Sequence, residues 1–405
     1  MMRCDVLVVG AGPAGAVAAR AAARAGARVL LVEQGDGTDD LARCTGLVSP
    51  RTQETLGFSD ETVLREIRGG IVHSPGGRTV EIHAEGVKGL VLDRQRLRRE
   101  LTDLAAAAGV EVRFRTRAAA ASRGTVRLEA SGKAENVSTR VTIGADGARS
   151  RVRSWFSLAG PGQLLRASQA VVAGRPPAPD TVEVFLGSDV APGFFAWSVP
   201  AEEGRLRVGL ATATGNDPEP FLARLLARRF PGEALARAGG LIPIGPAPRT
   251  ADDGVLLVGD AAGQAKPASG GGIYTGSVCA GIAGEIAGTA ALAEMTSRET
   301  LGEYERRWQK AIREELRFGG ALHRARLALP DSEVDAALAA IDEESILQVI
   351  AGEGDLDYPS RLVRAFADRR DLWPRLAALL PVLTASRSVE EWLDLLFVSR
   401  ERASL

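Results

Sequence analysis

The stretch CDVLVVGAGPAG, residues 4–15, decides how the rest of the chain is read. An apolar run that favours a buried strand gives way to Gly10, Gly12 and Gly15 in the spacing G-x-G-x-x-G. The small residues of AVAARAAARAG (16–26) then suit a helix. Glycines in that turn let the backbone bend tightly, and let a pyrophosphate reach the free N–H groups and positive dipole end of the helix. Outward from there, ARVLLVE (27–33) reads as a second strand. Glu33 closes it 18 residues beyond Gly15, where an acid accepts hydrogen bonds from adenosine ribose hydroxyls. Strand, turn, helix and acid in that order point to a bound dinucleotide.

A second stretch selects which one. VLLVGDAAG (255–263) places Asp260 at the end of another predicted strand, far along the chain from the first turn. In one fold the two meet only if a long cofactor runs between them, so FAD is expected. Asp260 would hold the ribityl chain, and Gly270, Gly271 and Gly272 would bring backbone amides to the flavin ring. The helix that begins at Ile273 would aim its N-terminus at the pyrimidine edge, favouring the negative charge of reduced flavin.

The 405 residues carry a net charge of −1, with 45% hydrophobic and 25% charged side chains, the balance of a soluble globular protein with two or three structural units. That charge gives no sign of a nucleic-acid partner. Cys4, Cys44 and Cys279 are scattered and odd in number, so a reducing, cytoplasmic setting is expected rather than a disulfide framework, and no metal is expected. No signal peptide is visible, and no uncharged run approaches the ~20 apolar residues that cross a bilayer. Weak peripheral membrane contact is the most that the C-terminal helices suggest.

The expected fold class is α/β. A Rossmann-like FAD-binding domain is assembled from 1–66, 91–158 and 250–290, a β-rich substrate domain is inserted as 67–90 and 159–249, and 291–405 form a C-terminal helical region. GGIVHSPGGRTVEIHA (69–84) reads as a hairpin around Pro-Gly-Gly, and VLDRQRLRRELTDLAAAAG (91–109) has helical spacing. VEVRF (110–114), RVTIGADG (140–147), DTVEVFLG (180–187), FFAWSVP (194–200) and RLRVGLA (205–211) read as strands, and PFLARLLARRF (220–230) as a helix. The C-terminal helices break at LALPDSE (327–333) and GDLDYPSR (354–361).

These motifs resemble the glutathione-reductase-like group of FAD proteins that includes the aromatic hydroxylases. IGADGARSRVR (143–153) is similar to that group's second nucleotide motif, which implies that Asp146 lies near the pyrophosphate; a plain turn role for Asp146 stays open. VLDRQRLRREL (91–101) is similar to the segment whose arginine, here Arg94, approaches FAD, and Ala118 falls where members touch the adenine side. Within the group, RCTGLVSP (43–50), APGFFAWSVP (191–200), GDAAGQAKPASGGGI (259–273) and GDLDYPS (354–360) resemble the geranylgeranyl reductase family, in order and over almost the whole chain. Archaeal lipid reductases often carry an acid between the cysteine and the glycine of the first of these; here Thr45 stands alone between them.

The resemblance implies a cofactor site of Gly10, Gly12, Ala14, Gly15 and Glu33 at the nucleotide, with Arg94, Ala118 and Asp146 beside it. Asp260, Gly271, Gly272 and Ile273 fall at the flavin, and Arg43, Cys44, Thr45 and Leu47 line its ring. Cys44 would be a proton donor or redox gate, or a contact without chemistry. Phe194, Phe195 and Trp197 would wall an apolar pocket. The implied reaction hydrogenates an isolated C=C bond in a polyprenyl or lipid substrate, with hydride from reduced FAD and external electrons from NAD(P)H or ferredoxin. Two rivals remain. An FAD monooxygenase or halogenase is suggested because FFAWSVP is close to a Trp-x-Trp-x-Ile-Pro motif, with Phe195 at its first tryptophan and Lys88 as the nearby lysine. A non-catalytic prenyl-binding protein is the other.

Overall fold

The computed structural model describes residues 2–38 and 44–376. The strands Val6–Val9, Val29–Val32, Val141–Gly144 and Val255–Leu257 are buried along their whole length, as a parallel sheet covered on both faces demands. With two further strands they form a six-stranded sheet in the order Ala251–Asp252, Val255–Leu257, Val141–Gly144, Val6–Val9, Val29–Val32, Glu111–Arg113. The edge strand Ala251–Asp252 runs antiparallel and the others are parallel. The register sets Val9 beside Val32 and Gly144. The glycine turn, Glu33 and the approach to Asp146 therefore leave one carboxyl edge, where open α/β sheets bind ligands.

The helices Pro13–Arg24 and Ile273–Leu292 cross closely over one face of this sheet. A Cβ on Gly284 would lie 2.1 Å from the Ala18 carbonyl oxygen, so a larger residue there would push the helices apart. The long helix Arg298–Ala328 packs outside them, burying Leu301, Tyr304, Trp308, Ile312 and Leu316 at intervals of three or four. The other face carries a four-stranded sheet of Met2–Arg3, Lys133–Ser138, Thr125–Ala130 and Arg117–Ser122.

A seven-stranded sheet forms the second layer, in the order Ala234–Ile244, Gln163–Ala173, Arg205–Thr212, Ala196–Pro200, Thr181–Phe185, Gly69–His73, Thr79–His83. The last two strands are the hairpin read from the sequence. Lys88 lies outside that hairpin: it precedes Gly89–Leu92, which pairs with Leu47–Val48 and Val63–Ile67 in a small third sheet. The C-terminal helices break at Pro330 and across 354–359, as their sequence indicates, and again at Asp342–Glu343. Among the described residues no helix is long and apolar enough to cross a membrane.

Candidate active site

The three glycines of the first turn answer to different demands. Gly10 has φ +102°, a left-handed conformation that favours glycine, and a Cβ on Gly15 would lie 1.8 Å from the Gly10 carbonyl oxygen. Both are required by the protein's own packing. A Cβ on Gly12 would meet no protein atom within 4 Å, so its space is left for something else. Gly12 caps the Pro13–Arg24 helix without a side-chain partner, leaving the first-turn N–H groups around Ala14 and Gly15 open. Glu33 steadies the turn: one carboxylate oxygen accepts the Ala11 N–H at 2.9 Å and the other the Gly35 N–H at 2.8 Å.

Asp146 has the turn role that its position left open, and it keeps one carboxylate oxygen unused. Its Oδ2 accepts the N–H groups of Arg151 (2.7 Å) and Val152 (3.1 Å), capping the Arg151–Trp155 helix, while its Oδ1 is buried with no partner among the described residues. Arg94 opens the Arg94–Ala107 helix behind its Asp93 cap and likewise leaves a buried Nη1 without a partner. Buried polar atoms are rarely left unpaired. Two of them, beside an open glycine and a helix N-terminus, fit FAD. Ala118 is a core residue, packed in the cluster that holds Leu30 and Val32.

The second motif closes against the first. Gly259, at φ +61°, brings the turn so near Ala14 that a Cβ on Gly259 would lie 3.0 Å from the Ala14 Cβ. Asp260 follows in a tight turn, and a Cβ on Gly272 would sit 3.0 Å from its Oδ1. Burial pushes the Asp260 carboxyl up to about 6, opposed by the Arg94 charge. The Gly270–Gly272 loop is pinned by its own backbone: Lys266 N–H donates to the Gly271 carbonyl (2.9 Å) and Gly270 N–H to that of Lys266 (2.8 Å). Gly272 then caps the 20-residue helix starting at Ile273 without a side-chain partner, so this N-terminus too points open N–H groups at the edge.

Cys44 is half-buried and its sulfur accepts the Gly46 N–H at 3.4 Å; Arg43 lies outside the described residues. Thr45 turns its hydroxyl to the Leu47 N–H at 3.3 Å, and Leu47 packs beside Val91 and Trp197. The loop is held by a residue that sequence reasoning did not single out. Arg207, 1% exposed, donates from Nη1 to the carbonyls of Thr45 (2.7 Å) and Leu92 (3.0 Å). Burial lowers its pKa, against the neighbouring Glu202 and Cys44. Gly46 has φ +70°, and a Cβ on it would fall 2.8 Å from the Leu92 carbonyl oxygen as well as 2.7 Å from that Nη1, which makes glycine obligatory.

A second missed cluster joins this loop to the flavin-side turn. Asp357 is fully buried; it accepts from Lys266 Nζ at 2.6 Å and from the Ser49 hydroxyl. Lys266 Nζ also donates to the Leu356 carbonyl at 2.6 Å. Arg51 pairs with Asp355 at 3.1 Å and stacks over Tyr358, whose hydroxyl meets that of Tyr274 at 3.0 Å. GDLDYPS is thus a clamp on two site loops. Its presence was visible in the sequence, but its partners were not.

The aromatic residues stand together. Phe194 stacks on Phe195 at 4.3 Å, Phe195 meets Trp197 edge-on at 5.9 Å, and Trp197 donates to Gln169 at 2.8 Å. The Phe194 Cζ is 3.5 Å from where a Cβ on Gly270 would be, so the aromatic wall reaches the flavin-side loop. Arg326, whose pKa burial lowers to about 10, lies over the Phe194 ring at 4.3 Å.

The FAD binding domain family matches residues 3–233. The digeranylgeranylglycerophospholipid reductase of Methanothrix thermoacetophila is 34% identical over 364 residues, covering 85% of this chain and 93% of that protein. The enzyme of the same name from Methanosarcina acetivorans is 33% identical, covering 84% and 88%. Among solved structures, a geranylgeranyl bacteriochlorophyll reductase-like protein from Thermoplasma acidophilum superposes with a TM-score of 0.83 at 22% identity, over 94% of this chain and 100% of the other. The p-nitrophenol 4-monooxygenase of Pseudomonas putida shares the fold with a TM-score of 0.68 at 18% identity, over 87% and 97%. The architecture alone therefore serves reductases and monooxygenases alike, and it is the sequence likeness along most of the chain that separates them: this chain belongs to the geranylgeranyl reductase family of FAD-dependent oxidoreductases.

Proposed function

We propose that this protein hydrogenates C=C bonds in the geranylgeranyl chains of a lipid, as the names of its relatives state for them. The observation that carries this reading is the meeting of the apolar Phe194 wall with Gly270, at the turn that also positions Asp260. FAD, when bound here and reduced, would supply the hydride that one alkene carbon needs. A proton completes the other carbon, and Cys44 Sγ–H is the group assigned to deliver it and to be reprotonated from solvent. An isolated alkene is a poor hydride acceptor, so the site must exclude water around the developing positive charge. Phe194, Phe195 and Trp197 do so by packing. Asp260, Asp146 and Arg94 hold the cofactor, and Arg207 fixes the Cys44 loop against the start of the Arg94 helix. The external electrons come from NAD(P)H or ferredoxin, and the protein acts in the cytoplasm with weak peripheral membrane contact.

The lysines speak against a halogenase. Such an enzyme needs a free amine above the flavin, whereas Lys88 Nζ donates to the carbonyls of Gly352 (2.7 Å) and Gly354 (3.4 Å), and Lys266 is bound to Asp357. The deciding experiment reduces the FAD-loaded protein without oxygen, adds digeranylgeranylglycerophospholipid, and follows flavin reoxidation with mass spectrometry of the product. Stepwise gain of two hydrogens per double bond is expected. Oxygen-dependent NAD(P)H consumption on an aromatic substrate, with the lipid unchanged, would overturn the reading.

A further inference from the structure

The outer face of the Arg298–Ala328 helix borders a groove of about 600 Å³, closed on its far side by the 244–248 segment and Pro267. Arg313, Arg317 and Arg324 line it, spaced four and seven residues apart and so on one stripe of the helix. Among the described residues no carboxylate lines the groove, Arg317 has no ion-pair partner, and the contact of Arg313 is the Gln309 side-chain oxygen at 3.3 Å. The opposite wall is apolar, made by Ile244, Pro246, Ala247 and Pro248. Gly320 keeps the middle open, since a Cβ there would meet Arg324 Nη1 at 3.5 Å and nothing nearer.

The inner end leads toward the flavin-side loop. His323, buried at the groove floor, has its ring 5.9 Å from that of Phe194, and Ile244 packs in the same apolar cluster as Phe194. Burial, with Arg326 and Arg324 nearby, pushes His323 down to about 4. It is therefore neutral, accepting from Arg326 at 2.8 Å and donating to Gln163 at 3.3 Å. His323 itself carries no charge, so the positive charge comes from the arginines at the mouth and from the buried Arg326, which lies over the Phe194 ring at the inner end.

We propose that this groove seats the phosphate head of a phospholipid substrate, with Arg313, Arg317 and Arg324 around the phosphate and the isoprenoid chain running inward past His323 and Phe194 to Gly270. Positive charge at the mouth, an apolar wall behind it and contact with the Phe194 cluster complement one anionic amphiphile. Guanidinium forks suit phosphate oxygens. The assignment rests on the lipid-reductase reading above, so its test is a binding measurement on the oxidised, FAD-loaded protein, which needs no turnover.

Two probes in the same detergent are compared, digeranylgeranylglycerol phosphate and its headless alcohol, on wild type and on the double variant Arg313→Gln/Arg317→Gln. Both arginines are exposed, so FAD content and Tm should be unchanged. Solvent-exposed ion pairs are individually weak, so the variant should lose roughly 3–10-fold in affinity for the phosphate probe and nothing for the alcohol. The wild-type preference should shrink in high salt. Unchanged affinity for the phosphate probe, or equal loss for both probes, would overturn the proposal. So would a loss confined to anionic vesicles, which would make the arginines a membrane-facing patch. If the alkene-reduction reading fails instead, the reduced wild type hydrogenates neither probe while the binding contrast persists.

Discussion

The proposed flavin site has a nucleotide end and a ring end, and the two are built by different means. The first is backbone made: Gly10, Gly12 and Gly15 shape a turn whose Ala11 N–H, like that of Gly35, is received by Glu33. The second is held by side chains reaching across the fold, with Arg207 on the carbonyls of Thr45 and Leu92, and Asp357 on Lys266 and Ser49. A backbone-made site tolerates change elsewhere but not a single added methyl within it. A side-chain-made site tolerates local change and depends on distant elements being docked.

The largest effect should separate two glycines of the same turn. Gly15→Ala drives a methyl to 1.8 Å from the Gly10 oxygen and should abolish folding, a loss beyond about 4 kcal/mol. Gly12→Ala meets nothing in the protein, so the apoprotein should melt within roughly 2 °C of wild type while FAD affinity falls at least about tenfold. Scanning calorimetry of the apoproteins and flavin titration read both, and equal destabilisation would break the contrast.

At the ring end, Asp357→Ala leaves Lys266 without its buried partner, and losing one member of such a pair typically costs about 3–5 kcal/mol. Urea unfolding should show that loss, with Asp357→Asn milder. A change below about 1 kcal/mol would mean that the clamp does not hold this end.

Cys44→Ser tests chemistry rather than assembly. FAD content and reduction by dithionite should be normal, and anaerobic reoxidation by the lipid should slow by ~10²–10⁴-fold, as loss of a general acid predicts. Reoxidation within about threefold of wild type, well short of that range, would leave Cys44 a contact only.

The smallest effect concerns Asp260. Burial raises its carboxyl from 3.8 to about 6, so the folded apoprotein favours the protonated form. Its contribution to stability is full below pH about 4 and is lost as pH rises through about 6. Asp260→Asn removes that dependence, so its Tm advantage over wild type should grow between those values. An advantage that does not change with pH would exclude burial as the cause.

The parts of the fold written locally could be read directly. The strands of the six-stranded sheet are uniformly apolar because both faces are covered, and the glycine spacing carries its own mechanism. The Arg117–Ser138 meander escaped notice because RAAAAS is alanine-rich and KAENVS is polar, while the decisive signal was small: Ser131 and Gly132 both at positive φ in a tight hairpin turn. Arg207 escaped for another reason. In RLRVGLA it alternates like any strand arginine, and only the folded register turns it inward. Lys266 and Asp357 are 91 residues apart, and neither carries a local sign of the other.

The chain has only four lysines, at 88, 133, 266 and 310, and two of them end on the 352–357 segment. Lys133 and Lys310 are exposed. An amine-selective reagent therefore has two unobstructed targets that act as internal standards and two that are shielded only while that segment is seated. The ratio of acylation at Lys88 and Lys266 to that at Lys133 and Lys310 becomes a clock for how often the helical cap lifts from the flavin edge, read without any probe attached to it.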